Sequence, residues 1–289
     1  MRTLAISILN WNNINDTINC INSLKISKFQ DFDIYLLDNW SSNSEFEKIK
    51  NTYLNENFII LNNSDTNLWF TWWNNFNIDL ILKKDYKYIL LLNNDTIIPN
   101  NFLWDFIEKI WKISDGWVFW PEIRNPDNSI QSIWNKINLY TWSSKRYKIY
   151  DKNNIIDYIS GSCFFIKKDL INQIWKLDDN FFAYYEESDF CLRTKKLWYS
   201  INIINKWYIY HKEETANKKD KPYYCYLMFR NRILFLKKHS NYLQYISSYI
   251  FLIWYLIILF PLSFWFKNYK YAFIWIIHWI KWIWWNVKI

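Results

Sequence analysis

The sequence predicts an α/β protein, in which helices cover a sheet and a hydrophobic helical tail follows. Strand-like and helix-like segments alternate through residues 1–120, which is the pattern of βαβ units and implies parallel strands. Loops rich in Asn, Asp and Ser follow the strand-like segments. Residues 240–266 carry no charge and hold enough apolar side chains for a membrane-associated helix. Together these three observations favour this fold class.

Hydrophobic periodicity predicts the elements of the first half. In chain order these are strand Leu4–Leu9, helix Asp16–Lys25, strand Asp33–Leu37, helix Glu45–Leu54, strand Phe58–Leu61, helix Asn74–Lys83 and strand Tyr88–Leu92. In such sheets ligands bind beyond the carboxyl ends of the strands. The loops at those ends therefore form a candidate polar site, with ordinary turns as the alternative: Asn10–Asn12, Asp38–Asn43, Asn62–Asn67 and Asn93–Thr96.

The second half follows a less regular pattern. Residues 121–160 are polar and predict an irregular, variable loop region. The later segments are strand sequence within Ile155–Lys167, helix Glu186–Leu197, short strands Tyr199–Ile204 and Trp207–His211, and helix Pro222–His239. We therefore divide the chain into a main domain, residues 1–239, and a basic, apolar tail, residues 240–289.

The charge distribution points to a membrane surface rather than to nucleic acid. The formal net charge is +8, and residues 191–289 hold 16 Lys or Arg against 3 Asp or Glu. This excess lies beside the apolar stretch, whereas a nucleic-acid-binding protein is expected to interleave basic residues along a groove. A spanning helix, an interfacial helix and a buried soluble helix stay open for the tail.

The cysteines and the N-terminus indicate a reducing compartment. The four cysteines are widely spaced and form no CxxC pair, so we predict that they are reduced and mostly buried. The apolar run at the N-terminus has no small-residue cleavage site and is interpreted as the first strand rather than a signal peptide. The main domain is therefore expected in the cytoplasm.

Four groups of residues could carry chemistry. Asp95 follows an apolar strand and is placed to hold a divalent cation that bridges a diphosphate, or only to cap a helix. Three carboxylates within Glu186–Asp189 suit a general base acting on a hydroxyl, or the dipole of a helix start. His211 ends a strand-like run, and such a lone histidine is either a ligand or a structural residue. Arg230 and Arg232 could meet phosphate or lipid headgroups.

These motifs, in this order, resemble glycosyltransferase family 2, in particular its rhamnosyltransferase-like branch. That family has the GT-A fold, a Rossmann-like mixed sheet that binds nucleotide-sugars. The resemblance extends over nearly all of residues 3–239. It rests on these blocks: Ser7–Asn12, Asp38–Ser42, Asn67–Asn75, Asn93–Asp95, Ser160–Cys163, Phe181–Arg193, His211 and Arg230–Arg232.

The resemblance implies an inverting transfer of a sugar, with rhamnose one candidate, from a UDP- or dTDP-linked donor. It implies that Glu187 takes the proton of the acceptor hydroxyl, and that Asp95 and His211 hold Mg²⁺ or Mn²⁺. The donor-binding residues that it implies are Asn10, Asn12, Asp38, Asn67, Asn93, Asp95 and Arg230. Two of these positions depart from the family pattern, since Glu187 stands where Asp is usual and Asn93 replaces an Asp.

The implied acceptor is a glycan or a lipid-linked glycan in cell-surface polysaccharide synthesis. The tail would hold the enzyme at the cytoplasmic face of the cell membrane, where such an acceptor is presented. The main alternative is a catalytically inactive, membrane-bound protein that still binds sugar nucleotides. Nucleic-acid binding is a third hypothesis, which the position of the basic residues disfavours.

The counts of Gly and Trp are unusual. The chain has 2 Gly and 21 Trp, whereas average usage predicts roughly 20 Gly in a chain of this length. Several Trp fall where the resembled family has Gly: Trp40, Trp69, Trp72, Trp73, Trp120, Trp175 and Trp198. Trp11, by contrast, falls where the family has Trp. We interpret these as UGA codons, read as Gly in the source organism and translated here as Trp; a genuinely Trp-rich enzyme is the alternative.

Overall fold

The computed structural model describes residues 2–141, 143–150, 156–212 and 222–263. Within them the strands are β1 (Leu4–Asn10), β2 (Phe32–Asn39), β3 (Ile59–Ser64), β4 (Tyr88–Asn93), β5 (Thr96–Ile97), β6 (Gly116–Arg124), β7 (Ile130–Ser132), β8 (Trp134–Asn138), β9 (Ser143–Tyr147), β10 (Cys163–Lys167) and β11 (Ser200–His211). The helices are α1 (Ile14–Lys25), α2 (Asn43–Tyr53), α3 (Phe70–Leu82), α4 (Phe102–Trp111), α5 (Lys168–Ile174), α6 (Glu186–Lys196), α7 (Pro222–His239) and α8 (Tyr242–Ser263), with a 3₁₀ turn at Asp179–Phe181.

One mixed sheet organises the chain. Its order is β3-β2-β1-β4-β10-β6-β11-β5, with β7 paired to β6, and β8 and β9 pair separately. Strands β1 to β4 are parallel to one another, as the sequence predicts. Strand β10 runs antiparallel between β4 and β6, and this makes the sheet mixed.

The described residues fall into two compact units. The first is drawn from residues 1–136, 146–182 and 186–213, and the second from residues 137–145, 183–185 and 214–289. In the first unit, α3 packs on β1, β2 and β4, while α1 packs on β1 and β5. The inner strands of the sheet are almost wholly buried, which explains why they appear in the sequence as continuous apolar runs. Burial of each large aliphatic side chain stabilises the fold by about 1.5–3 kcal/mol.

The prediction of an irregular region over residues 121–160 is wrong for the part that the structure describes. The end of β6 and all of β7, β8 and β9 lie there. Strand β9 has the sequence Ser-Ser-Lys-Arg-Tyr and is mostly exposed, so it lacks the alternation that identifies a strand. Within the predicted strand sequence of residues 155–167, only β10 is a strand; residue 155 lies outside the described residues.

Other boundaries differ for local reasons. The two short strands predicted over residues 199–211 are one strand, β11, which has a β-bulge at its polar centre. There Lys206 has a φ of 79°, and the register with β6 shifts between Ile204 and Tyr208. Helix α3 begins at Phe70, four residues earlier than predicted. Helices α4 and α5 were not predicted.

The predicted state of the cysteines is confirmed for three of them. Cys20, Cys163 and Cys191 are buried and free. Burial raises the pKa of the Cys20 thiol to about 12, so this thiol is not reactive at neutral pH. The side chain of Cys225 lies outside the described residues.

The second unit contains α7 and α8. Ile233, Leu236 and Leu252 form its small buried cluster. Helix α8 starts with a reciprocal cap, in which the Asn241 side chain accepts from the backbone N–H of Gln244 and the Gln244 side chain accepts from that of Asn241 (2.9 and 3.0 Å). Among the described residues, no helix has both the length and the apolar character needed to cross a membrane. Residues 264–289 of the predicted tail lie outside the described residues.

Candidate functional site

The predicted polar loops meet at one edge of the sheet. Asn10, at the end of β1, pairs in register with Asp38 of β2, while the preceding residue, Leu9, pairs with Asn93 of β4. Since these strands are parallel, their carboxyl ends lie side by side. The structure therefore brings Asn10, Asp38 and Asn93 to one edge of the sheet.

A buried hydrogen-bond network holds the Asp38 carboxylate. Its Oδ1 accepts from Asn10 Nδ2 (2.7 Å) and from Ser41 Oγ (2.8 Å), and its Oδ2 accepts from the backbone N–H of Ser41 (3.2 Å). Asn12 joins this turn, because its side-chain oxygen accepts from the backbone N–H of Ser42 (3.1 Å). Asn10 is fully buried, so its amide orients Asp38 and does not reach solvent.

Asn39 holds the loop that contains Asn67. Its Nδ2 donates to Asn67 Oδ1 (2.9 Å) and to the Leu68 carbonyl (3.1 Å), and its Oδ1 accepts from the Leu68 N–H (3.0 Å). The loop is thereby fixed against the end of β2. The sequence prediction included Asn67 and missed Asn39, although the position of Asn39 directly after Asp38 was the available signal.

Asp95 and His211 form a second polar group. Asp95 Oδ1 lies 3.2 Å from His211 Nε2, and Asn93 Nδ2 lies 3.5 Å from the same nitrogen. The pairing of β11 with β5 sets His211 opposite Thr96, and the Lys212 N–H donates to the Asp95 carbonyl (2.9 Å). Neighbouring ligands of an octahedral ion at about 2.1 Å are about 3 Å apart, so this spacing fits two ligands of Mg²⁺ or Mn²⁺.

Within the described ranges, no cluster of three or more His, Cys, Asp or Glu is arranged to hold a metal. An ion on Asp95 and His211 would therefore need further oxygen ligands. Phosphate oxygens and water supply such ligands at many magnesium sites, which often use only one or two protein carboxylates. The pair thus fits an ion that is shared with a phosphorylated ligand.

Thr17 joins the two polar groups. Its hydroxyl donates to Asn10 Oδ1 (2.7 Å) and accepts from Asn94 Nδ2 (2.9 Å). A continuous chain of hydrogen bonds therefore runs from the loop of Asp95 to the carboxylate of Asp38. Thr17 is fully buried on α1, where helical periodicity alone marks it as a core position.

A cavity of about 380 Å³ opens beside Asp95. Lys212 stands at its wall and lies 3.3 Å from Asp16. Asp95 is the one predicted site residue in this lining. The complete lining is Asp16, Asn19, Asp95, Thr96, Ile97, Pro126, Tyr210 and Lys212.

The three carboxylates at the start of α6 have different environments. Asp189 is fully buried and accepts from Arg193 Nε (2.8 Å), while Arg193 Nη2 donates to the Lys176 carbonyl (2.8 Å). The ion pair lies within α6, and the Arg193 bond to the Lys176 carbonyl joins α6 to the chain that follows α5. Asp189 therefore has a structural role, which leaves Glu186 and Glu187 as the chemical candidates.

The pKa values of Glu186 and Glu187 are both raised, and that of Glu186 is raised further. Burial, followed by the charge of Glu187, raises the pKa of Glu186 well above its ordinary value. Burial also raises the pKa of Glu187, but backbone N–H groups at the helix start and a hydrogen bond from Glu186 oppose this rise. As pH falls, Glu186 is therefore protonated before Glu187, and Glu187 is the member of the pair that stays a carboxylate to lower pH.

We expect Glu186→Gln to stabilise the fold at neutral pH. Because the folded-state pKa is raised, the folded chain binds more protons than the unfolded chain, and stability falls as pH rises from 4.5 to the raised value. Gln does not titrate and still donates to Glu187. At acidic pH the variant and the wild type should have the same Tm. At neutral pH the Tm of the variant, measured by circular dichroism, should be higher by a few degrees.

Glu108→Gln is the matched control, because Glu108 is exposed and Lys112 lowers its pKa. Its substitution should give no gain at neutral pH. A Glu186→Gln variant that is less stable than the wild type at every pH would contradict a raised pKa at Glu186.

Helix α3 fixes the segment that leads to α6. Thr71 donates to the Phe182 carbonyl through its backbone N–H (2.9 Å) and its hydroxyl (3.1 Å). Asn75 Nδ2 donates to the Leu177 carbonyl (2.8 Å) and to Asp179 (2.6 Å), and its Oδ1 accepts from the Leu177 N–H (3.1 Å). The start of α3 therefore holds residues 177–182, part of the segment between α5 and α6.

Arg230, a predicted donor ligand, lies on α7 in the second unit. Its Nη1 donates to Asn231 Oδ1 (2.8 Å). Asn231 is fully buried, and its Nδ2 donates to the carbonyls of Ala183 and Tyr184 (2.6 and 2.8 Å). Asn231 thus ties residues 183–185 to α7 within the second unit, and the donor-binding role of Arg230 stays a prediction.

Three tryptophans occupy left-handed backbone conformations. Trp40 has a φ of 52° in the turn after Asp38. Trp175, directly after α5, has a φ of 69°, and Trp198, two residues beyond the end of α6, has a φ of 62°. Glycine is the residue that favours these conformations, particularly just after a helix. The indole N–H of the buried Trp120 has no acceptor among the described residues, although a buried Trp usually finds one.

No family model matches the chain. The chain is 34% identical over 80 residues to the low-salt glycan biosynthesis hexosyltransferase Agl10 of Haloferax volcanii, and the match covers 27% of this chain and 26% of that relative. The matched part is therefore about a quarter of the relative's length.

Solved structures with a similar fold include TarS and GalNAc-T7. TarS 1–349 of S. aureus, in complex with UDP-GlcNAc, gives a TM-score of 0.55 at 16% identity over 80% of this chain and 66% of that chain. GalNAc-T7 with UDP, GalNAc and Mn²⁺ gives 0.62 at 11% identity over 74% and 44%. At these identities the likeness shows the fold alone: the chain has the GT-A fold, as the sequence predicts.

Proposed function

We propose that the chain is a cation-dependent glycosyltransferase. It would move a sugar from a UDP- or dTDP-linked donor to a hydroxyl of a glycan or lipid-linked acceptor. The observation that carries this proposal is the continuous polar network at one sheet edge, from Asp38 through Asn10 and Thr17 to the loop of Asp95. The hexosyltransferase relative and the UDP-sugar complex of TarS support the same class of donor.

Asp95 and His211 would hold Mg²⁺ or Mn²⁺ beside the donor diphosphate. The ion would neutralise the negative charge of the departing nucleoside diphosphate. The Mn²⁺ in the GalNAc-T7 complex supports a cation in a site of this fold. Asp38, fixed by three hydrogen bonds, would orient the nucleoside together with Asn12 and Asn67.

Glu187 would act as the general base. It would accept the proton of the acceptor hydroxyl while the hydroxyl oxygen attacks the anomeric carbon from the face opposite the leaving diphosphate, which inverts the configuration. The further rise in the pKa of Glu186 supports this role, because Glu186 is protonated before Glu187 and leaves Glu187 as the proton acceptor. The rhamnosyltransferase-like branch is part of this proposal.

The tail, residues 240–289, would hold the main domain, residues 1–239, at the cytoplasmic face of the membrane. Exposed apolar side chains recur every three or four residues along α8, which suits a helix lying in the membrane interface. Lys237 and Lys238 lie in the last turn of α7, where they would meet anionic headgroups. The exposed apolar residues are Ile246, Ile250, Ile253, Trp254 and Ile257.

We further propose that many of the tryptophans in this sequence are glycine in the native protein. The left-handed φ values at Trp40, Trp175 and Trp198 support this, as does the unsatisfied indole of Trp120. Trp72 and Trp73 are not among the residues with positive φ, so for them the proposal rests on the family pattern. Both lie in the first turn of α3, where the Trp72 indole is half exposed and the buried Trp73 indole donates to the Leu68 carbonyl.

Binding of UDP and dTDP in the presence of Mn²⁺ tests the proposed site. Asp95→Asn should weaken binding of the Mn²⁺–nucleotide complex about 10–100-fold, because it removes an anionic ligand of the ion. Titration calorimetry measures this effect. Asp169→Asn, at an exposed position in the first turn of α5, is the matched control and should bind as the wild type does.

Equal affinities of Asp95→Asn and the wild type would contradict the cation site. Binding without turnover for every sugar nucleotide, with membrane lipid present, would instead favour the inactive binding protein.

A further inference from the structure

We propose that Gln131 is a positioning residue that fixes the tautomer of His211. It would keep the hydrogen of the imidazole on Nδ1 and leave the lone pair of Nε2 directed at the cation beside Asp95. This inference deepens the proposed function, and its catalytic consequence rests on that proposal. Nothing in the sequence patterns pointed to Gln131.

Gln131 lies on β7 and is buried next to the imidazole. Its Oε1 is 2.9 Å from His211 Nδ1, and the side chain is 6% exposed. Since Gln131 has one oxygen and one NH₂ group, the direction of its amide decides whether the imidazole nitrogen donates or accepts. Its other partners determine that direction.

The amide of Gln131 is oriented by two acceptors. Its Nε2 donates to Asn125 Oδ1 (2.9 Å) and to the His211 carbonyl (3.3 Å). With the NH₂ group used in this way, Oε1 faces the imidazole. An amide oxygen can only accept, so Nδ1 must carry the hydrogen.

The Asp127 carboxylate determines which group donates in each hydrogen bond from Ser129 through Asn125 to Gln131. Ser129 Oγ donates to Asp127 Oδ1 (2.6 Å), so its oxygen is left to accept from Asn125 Nδ2 (2.9 Å). Asn125 then presents its Oδ1 to Gln131. Hydrogen bonds from Ser129 lower the pKa of Asp127, which keeps the anchor ionised and unable to donate.

The consequence appears at the opposite side of the imidazole. With a hydrogen on Nδ1, the neutral imidazole has its lone pair on Nε2, the atom 3.2 Å from Asp95 Oδ1. Metal-binding histidines generally donate their other N–H to an oxygen acceptor, which fixes the tautomer and the orientation of the imidazole. The turn between β6 and β7 thus prepares His211 as a ligand before any ion binds.

A long-range ¹H–¹⁵N spectrum of the full chain without metal tests the tautomer directly. The chain has three histidines, so a His211→Asn spectrum identifies the signal. We expect a hydrogen on Nδ1 of His211. A form with no hydrogen on Nδ1 would overturn the inference, whether or not any variant folds.

Mn²⁺ affinity, measured by titration with the metal alone, tests the consequence. Gln131→Leu removes the acceptor and should weaken Mn²⁺ binding about 10–100-fold. Gln131→Glu keeps an acceptor facing Nδ1 and should preserve the affinity. Gln173→Leu, at an exposed position on α5, is the matched control.

Wild-type Mn²⁺ affinity in a folded Gln131→Leu variant would overturn the inference. If Gln131→Leu fails to fold, weak binding by a folded Gln131→Glu variant would overturn it instead. No sugar nucleotide is present in these measurements. A chain with the expected tautomer and the expected Mn²⁺ response but no transfer activity would therefore refute the proposed function and leave the role of Gln131 intact.

Discussion

Replacing Glu187 with Gln should lower kcat for sugar transfer by about 10²–10⁴-fold and leave the KM for the donor unchanged. The amide has nearly the same shape as the carboxylate and still accepts from the N–H groups at the start of α6. It cannot take the proton of the acceptor hydroxyl. Initial rates of nucleoside diphosphate release, measured with acceptor present, give both constants.

The pH dependence of the transfer rate should also identify Glu187 as the base. Burial raises the pKa of Glu187, and the base must be ionised to work. The rate of the wild type should therefore fall with decreasing pH at a higher pH than an exposed glutamate would produce. Glu108→Gln, on the exposed side of α4, is the control and should retain the wild-type rate. Full activity in Glu187→Gln would exclude Glu187 as the base.

Replacing Trp40, Trp175 and Trp198 together with glycine should stabilise the fold substantially. A left-handed conformation costs a non-glycine residue about 1–2 kcal/mol, and the greater freedom of glycine in the unfolded chain offsets about 0.5–1 kcal/mol of this. The triple variant should therefore gain roughly 1.5–3 kcal/mol, or about 3–12 °C in Tm. All three indoles are more than half exposed, so little packing is lost.

Trp104→Gly is the matched control for this prediction. Trp104 is 54% exposed on α4, where its backbone is helical. Glycine there should destabilise the fold by about 0.5–1 kcal/mol, the opposite sign for the same substitution. Thermal unfolding measures the change in Tm of both variants relative to the unsubstituted chain. A triple variant that is less stable than the written chain, or UGG codons at these three positions in the coding DNA, would contradict the glycine assignment.

The sheet was predictable because its strands are chemically distinctive. The buried strands β1, β2 and β4 appear as apolar runs, and each ends in Asn or Asp. The topology of a parallel sheet then brings those ends together without further information. By contrast, β9 is short, polar and mostly exposed, so local sequence carried no signal for it.

The positioning residues were harder to predict. Thr17 and Gln131 act through hydrogen bonds to groups brought close by the fold, such as Asn94 and His211. A single Thr on a helix or Gln in a short strand has no pattern that reveals its partner. Motifs therefore located the residues that would touch a ligand, and the structure was needed to identify those that orient them.

Release of nucleoside diphosphate from a panel of UDP- and dTDP-sugars is the most direct measurement of the proposed activity. It should be made on the variant in which glycine replaces Trp40, Trp175 and Trp198, with Mn²⁺ and with lipid-linked or glycan acceptors present. The proposal predicts that at least one donor is turned over, that chelation of the cation abolishes the reaction, and that Asp95→Asn and Glu187→Gln each reduce it severely. Turnover that persists in both variants, or no turnover of any donor by a folded chain that binds Mn²⁺ and UDP, would contradict a catalytic site at this sheet edge.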